Sequence, residues 1–162
     1  MKTLRIISGL LFVLFVFATC NDKEIDDQDP EIDLTITDAF PTNCDTLYFG
    51  EPFTLNMLFT DNVELGSFSI DIHNNFDHHS HSTEVTECNL GDVKEPVNPY
   101  LSIEEYDIPE GLDAYQTSQE IIIPDGNSKG KFDEGDYHFL IRLVDKTGWE
   151  VQKGLSIKIL RK

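Results

Sequence analysis

The segment FSIDIHNNFDHHSH, residues 68–81, combines a strand-like pattern with most of the histidines in the protein. In its first half, three apolar side chains alternate with three polar ones: Phe68, Ile70 and Ile72 with Ser69, Asp71 and His73. Successive side chains of a β-strand point to opposite faces, so this alternation predicts a strand with one face on the core. His73 is then expected on the outer face.

The same alternation recurs along the chain and predicts the fold class. It runs through residues 53–59, 137–143 and 149–160, and shorter apolar stretches at 32–36 and 121–123 indicate further strands. No stretch shows a sustained helical period of about 3.6 residues. About seven short strands separated by turn residues are typical of an all-β protein, and we predict an immunoglobulin-like β-sandwich.

Two regions lack a clear period and are predicted as loops. They are residues 39–50 and residues 89–119, the second of which also allows a short helix near Ser102–Tyr106. A third region, DGNSKGKFDEGD at residues 125–136, resembles a calcium loop of the EF-hand kind. Lys129 stands where that loop needs a ligand oxygen, and the flanking segments are predicted strands, so a plain hairpin connection is expected.

The start of the chain has the pattern of a secretory signal. Lys2 and Arg5 precede the apolar run at residues 6–18, which is too short to span a bilayer. The four residues that end in Cys20, FATC, fit a lipobox loosely, so Cys20 is predicted to become the lipidated first residue. An ordinary signal peptide with an incidental thiol is the alternative.

An acidic tract follows Cys20 and sets the expected domain limits. The stretch NDKEIDDQDPEID carries seven acidic residues before Leu34, a composition that cannot bury enough apolar surface to fold. We therefore predict a signal peptide at residues 1–19, a lipidated cysteine with a disordered tether at 20–30, and one folded domain at 31–162.

The acidic tract also suggests a location. It resembles the export tract behind the lipid-bearing cysteine of Bacteroidetes surface lipoproteins. That resemblance implies a lipid anchor in the outer membrane with the domain at the cell surface, although a periplasm-facing anchor is the alternative. The expected partners are the membrane and an outer-membrane transporter or another envelope protein.

Charge excludes one class of partner. The chain has 12 basic and 30 acidic residues and a formal net charge of −18. Such a surface repels phosphate backbones, so nucleic-acid binding is not expected. It attracts cations, which is consistent with metal binding.

Cysteine usage predicts one disulfide. If Cys20 carries lipid, Cys44 and Cys88 remain as a pair in an oxidising compartment, and we expect them to be bonded. The alternative is that both remain thiols and contribute to a metal site.

Four of the five histidines lie within residues 73–81, a density that indicates a site for zinc or copper. The alternative is a polar turn that is rich in histidine. In the predicted sandwich the third and sixth strands are antiparallel neighbours, so His138 should lie beside His73. The predicted ligands are His73, His79, His81 and His138, with Asp77 or His78 as substitutes or outer partners.

Two segments carry a resemblance to a known family. DNVELGSFSIDIHNNFDHHSH at residues 61–81 and GDYHFLIRLVDKTGWE at residues 135–150 resemble Bacteroidetes lipoproteins that are classed only as a domain of unknown function. The likeness covers roughly residues 30–160 and implies an immunoglobulin-like fold. It implies no activity.

The sequence is compatible with two classes of function and argues against a third. A lipid-anchored module that binds or acquires metal is the leading hypothesis. The alternative is an adhesion module that binds glycan or protein, for which Tyr100, Tyr106 and Tyr115 should form an exposed aromatic platform. An enzyme is not expected, because the sequence has no nucleophile elbow, phosphate loop or paired-carboxylate signature.

Overall fold

The computed structural model describes residues 25–80 and 88–162, and this part of the chain is all-β. Within the described residues, no helix is long and apolar enough to cross a membrane. The strands are β1 (Glu31–Asp33), β2 (Thr46–Tyr48), β3 (Pro52–Leu55), β4 (Leu58–Thr60), β5 (Leu65–Asn74), β6 (Ser102–Asp107), β7 (Ala114–Gln116), β8 (Gln119–Ile122), β9 (Gly126–Asn127), β10 (Gly130–Lys131), β11 (Gly135–Asp145) and β12 (Glu150–Leu160).

The longest strands form one five-stranded sheet in the order β2-β12-β11-β5-β6. β11 is at its centre and runs antiparallel to both β12 and β5. β6 pairs antiparallel with β5 at one edge, and β2 runs parallel to the end of β12 at the other. This sheet provides one layer of the sandwich.

The second layer consists of a three-stranded sheet, β1-β4-β7, and a two-stranded sheet, β3-β8. Aromatic contacts join the layers: Phe59 of β4 lies 5.0 Å from Phe68 of β5, and Phe53 of β3 lies 6.5 Å from Phe139 of β11, between ring centroids. The side chains between the layers form a single hydrophobic core, so the predicted β-sandwich is confirmed.

The alternation seen in the sequence holds for the two strands that will matter most. On β5, Phe68, Ile70 and Ile72 are buried. On β11 the inward set is completely buried and comprises Tyr137, Phe139, Ile141 and Leu143. Burial of these side chains fixes which face of each strand looks outward.

The strand predicted over residues 53–59 is instead two strands in different sheets. β3 pairs with β8, whereas β4 pairs with β1 and β7. Between them, Asn56 exchanges backbone hydrogen bonds with Phe40 and its side chain donates to the Asp38 carbonyl. The alternation continues through the break because both halves face the same core. Splits of this kind explain why the described residues contain more than the seven strands expected.

Two predictions for the regions without a period were wrong. Residues 39–50 contain β2, and residues 89–119 contain β6 and β7. The optional helix near Ser102–Tyr106 is strand β6. Edge strands bury few side chains and therefore leave little apolar pattern in the sequence.

The hairpin predicted for residues 125–136 is confirmed as β9 and β10. Asp125 is paired with the Arg161 guanidinium at 2.6 Å and with Lys131 at 3.5 Å. The hydrogen bond from Arg161 lowers the pKa of the Asp125 carboxyl. Asp125 thus closes a salt bridge to the C-terminal end of the chain.

The predicted disulfide between Cys44 and Cys88 is present. The Cys44 N–H donates to the carbonyl of Ser156, so one end of the bond is held against β12. The other end follows residues 81–87, which lie outside the described residues. The bond therefore ties the segment that leaves the histidine stretch to the large sheet.

Loss of this bond should destabilise the domain. The two cysteines are 44 residues apart, and loop-closure entropy for such a ring corresponds to about 4 kcal/mol. We expect a Cys44→Ala/Cys88→Ala double variant to lose a free energy of unfolding of about this size in urea titrations. Cys20→Ala is the matched control and should unfold as the wild type does. An unchanged midpoint in the double variant would show that the cross-link adds no stability.

Candidate metal centre

The pairing of β5 with β11 places two histidines side by side. His73 and His138 are direct cross-strand partners in the antiparallel register. Their ring centroids are 5.3 Å apart. Side chains of directly opposed residues share one face, so both lie on the outer face of the large sheet. This is the convergence that the sequence predicted.

A third histidine reaches the same place from the loop after β5. The His79 ring centroid lies 4.9 Å from that of His138 and 5.9 Å from that of His73, with which it stacks. One ring nitrogen from each of the three residues belongs to a set in which all atoms lie within 4.8 Å of one another. The three imidazoles therefore form one cluster.

The loop that carries His79 is anchored by Phe76. Phe76 is 2% exposed and packs edge-on against Tyr137, with ring centroids 5.3 Å apart. The Lys94 ammonium lies 4.3 Å from the centroid of the same ring, and the backbone N–H of Lys94 donates to the Phe76 carbonyl. Gly135 has a φ of 141°, and a Cβ there would come within 3.1 Å of this ring, so a larger residue would strain the backbone and crowd Phe76. Phe76 thereby fixes where the chain leads into His79.

One nitrogen of each ring makes a hydrogen bond that orients the ring. Nδ1 of His73 donates to Asp71 at 2.8 Å, and Nδ1 of His79 donates to Asp77 at 2.5 Å. Nε2 of His138 donates to the carbonyl of His79 at 3.1 Å. Carboxylates and carbonyls accept only, which sets the tautomer. A metal ion bound at this cluster would therefore be held by Nε2 of His73 and His79 and by Nδ1 of His138.

One histidine of the cluster is buried, and the other two are partly exposed to solvent. His138 is 5% exposed, whereas the side chains of His73 and His79 are 20% and 40% exposed. A zinc ion takes imidazole nitrogens at about 2.0–2.1 Å in a tetrahedron, which sets them roughly 3.4 Å apart. The three nitrogens lie within 4.8 Å of one another, so a bound zinc ion would draw them closer by about 1.4 Å at most.

The other predicted ligands fall into three groups. Asp77 lies behind His79 as a hydrogen-bond acceptor, which is the position of an outer partner, and the bond lowers the pKa of its carboxyl. His78 is not part of the cluster: the chain turns there at φ 58°, and its Nε2 lies 3.7 Å from Asp136. His81 lies outside the described residues.

Sequence reasoning missed two contributors. Asp71 orients His73, and Phe76 anchors the loop. Asp71 could have been found, because it lies two residues before His73 on the same strand face. The role of Phe76 could not, since it depends on the position of Tyr137 in the folded domain.

The aromatic platform expected of a glycan-binding module is not formed. Tyr100 is 8% exposed and belongs to the core. Tyr106 stacks on Phe68 with ring centroids 4.9 Å apart, and burial raises its pKa above the ordinary tyrosine range. Tyr115 packs half-buried against the same core.

Comparison with known proteins places the chain in a family without assigning it an activity. No curated protein matches the sequence. The family model described as "Domain of unknown function (DUF4625)" matches residues 18–160. That match covers most of the chain, including every strand described above, and the protein therefore belongs to the DUF4625 family.

Proposed function

We propose that this domain binds one zinc or copper ion through His73, His79 and His138. The observation that carries the proposal is the convergence of three imidazoles from β5, β11 and the loop after β5. Imidazole nitrogen is a good donor to both zinc and copper(II). His81, two residues after His79, remains the predicted fourth ligand.

The hydrogen bonds behind the rings support this proposal. Histidines that bind metal generally donate their second nitrogen to a carboxylate or a carbonyl, which orients the ring and makes it a better donor. Asp71 and Asp77 supply carboxylates to His73 and His79, and the His79 carbonyl supplies the acceptor for His138. A polar turn that only happens to be rich in histidine has no need of this arrangement at all three rings.

The open side of the cluster favours exchange of the ion over a purely structural role. His79 is 40% exposed at its side chain, so a metal bound there remains accessible to solvent. The net charge of −18 raises the local concentration of cations. In this proposal the protein is a lipid-anchored component of the outer membrane that captures metal and passes it to a transporter or another envelope protein.

Zinc titration tests both the affinity of the proposed site and the identity of its ligands. Titration of the metal-free, full-length protein with zinc should show one-to-one binding tighter than about 1 µM. A His73→Ala/His138→Ala double variant and a His79→Ala variant should each lose this binding, and His79→Ala removes only a half-exposed ring. Calorimetry gives the affinity, and thermal unfolding without metal reports whether each variant is folded.

His78→Asn is the matched control for this titration. It removes a histidine from the same loop but outside the cluster, and asparagine tolerates the left-handed backbone found there. Zinc affinity should be unchanged. Weak zinc binding that none of the variants alters would show that the histidine stretch is only a polar turn.

A variant of Asp71 tests whether the residue that orients His73 contributes to zinc affinity. Asp71→Asn should lower zinc affinity about tenfold or more, because the ring loses a charged acceptor. Asp107→Asn removes the same charge from the exposed part of β6 and should leave affinity unchanged. Equal losses in the two variants would point to bulk charge instead of ring orientation.

Zinc affinity should also depend on pH. Protons compete with metal for imidazole nitrogen, so zinc affinity should fall steeply between about pH 8 and about pH 5. The Asp77 carboxyl has a lowered pKa and stays ionised across this range, so it does not cause the loss. An affinity that stays constant over the whole range, measured by calorimetry, would indicate carboxylate ligands.

A further inference from the structure

We infer that the domain has a second metal site, for calcium, formed by Asp26, Asp61 and Asp145. One carboxylate oxygen from each lies within 4.8 Å of the other two. The three residues come from the N-terminal segment, the turn between β4 and β5, and the end of β11. The site therefore lies at the opposite end of the β5–β11 pair from the histidine cluster.

Asp145 is the buried centre of this group. It is 4% exposed, and its Oδ1 accepts the N–H groups of the following turn, those of Thr147, Gly148 and Trp149, at 2.7, 2.6 and 3.0 Å. Its other oxygen, Oδ2, is buried and has no hydrogen-bond partner. A buried carboxylate with one oxygen satisfied and the other bare is costly unless a cation faces it.

The backbone is shaped to place Asp145 there. The register with β5 shifts between Val144 and Asp145, which marks a β-bulge. A Cβ on Gly66 would lie 2.8 Å from the carbonyl oxygens of both residues, so the strands approach too closely for any other side chain. Bulges commonly redirect a side chain beside a functional site.

The other two carboxylates are arranged in the same way, with one oxygen hydrogen-bonded and the other without a partner. Oδ2 of Asp61 accepts the N–H groups of Val63 and Glu64, each at 2.8 Å, and Oδ2 of Asp26 accepts the Thr147 hydroxyl at 2.6 Å. The remaining oxygens, Oδ1 of Asp61 and Oδ1 of Asp26, are buried and have no hydrogen-bond partner. Each carboxylate is thus held by one oxygen and offers the other.

No basic group compensates this charge within the part of the chain that the structure describes. None of the ion pairs formed there includes Asp26, Asp61 or Asp145. A fourth oxygen, Oδ1 of Asn62, is also buried without a hydrogen-bond partner, next to Asp61 in the chain. Three clustered carboxylates repel one another, and a divalent cation relieves that repulsion directly.

The donor set selects a hard cation. All candidate atoms are carboxylate or amide oxygens, which suit calcium and differ from the nitrogen donors of the histidine cluster. Calcium binds oxygen at about 2.3–2.6 Å, so two ligands on opposite sides of the ion are separated by about 4.8 Å. The aspartate oxygens meet that limit and fit within one coordination sphere, with backbone carbonyls or water filling the other positions.

Occupancy of the site would fasten the N-terminal segment to the domain. Asp26 precedes β1 and is joined to the domain by its hydrogen bond to Thr147. A shared cation would add a second link between that segment and the two turns. Calcium would then order the junction between the acidic tract and the sandwich.

The test is calcium titration of the metal-free, full-length protein. The chain has a single tryptophan, Trp149, whose backbone N–H donates to Asp145, so its side chain lies close enough to the site for its fluorescence to serve as a probe. We expect a saturable fluorescence change and binding of one calcium per chain, with a dissociation constant of about 10⁻³ M or tighter. Absence of binding at higher calcium concentrations would overturn the inference.

Two variants separate metal binding from a structural role. Asp61→Asn and Asp26→Asn should each weaken calcium binding at least about tenfold. Without calcium their melting temperatures should equal or exceed that of the wild type, because repulsion is reduced; with calcium they should fall below it. Glu105→Gln, on the exposed edge of β6, is the control and should bind calcium normally. Equal destabilisation of the variants with and without calcium would show that the aspartates only stabilise the turns, and would overturn the inference. Calcium binding that is unchanged in the variants would overturn it as well.

Discussion

The antiparallel register of β5 with β11 is the constraint on which the rest of the structure depends. Hydrophobic burial sets that register, because the apolar faces of both strands must meet the same core. A slip of one residue would turn either strand over and expose its apolar face. The same slip would send His138 into the core and away from His73. The arrangement of the candidate metal centre is therefore a by-product of packing that would be needed without any metal.

The long strands could be predicted from the sequence, and with them the positions of two of the three histidines in the cluster. Ten or eleven residues of alternating pattern leave little doubt about which face is buried, so the meeting of His73 with His138 followed once a sandwich was assumed. The short strands β2, β6 and β7 could not be predicted in the same way. β2 buries one side chain, β6 and β7 contribute only partly buried ones, and all three are held by backbone hydrogen bonds to neighbours that are distant in sequence.

The proximity of the three aspartates could not be predicted from the sequence, for a related reason. Asp26 lies in an acidic tract whose composition indicates disorder, and Asp61 and Asp145 occupy ordinary turn positions. Their proximity arises from the bulge at Val144 and Asp145 and from the path of the N-terminal segment across the turns. Neither feature leaves a periodic signal. The histidines, by contrast, were conspicuous because they are rare residues in one short stretch.

The lengths of β5 and β11 have a geometric consequence. β5 spans ten residues, a distance of about 30 Å at the usual rise per residue of a strand. The N-terminal segment meets the domain at one end of this span, and the histidine cluster lies at the other. If the chain is anchored through its N-terminus, as proposed above, the imidazoles lie at the end of this span opposite the anchor and face the solution.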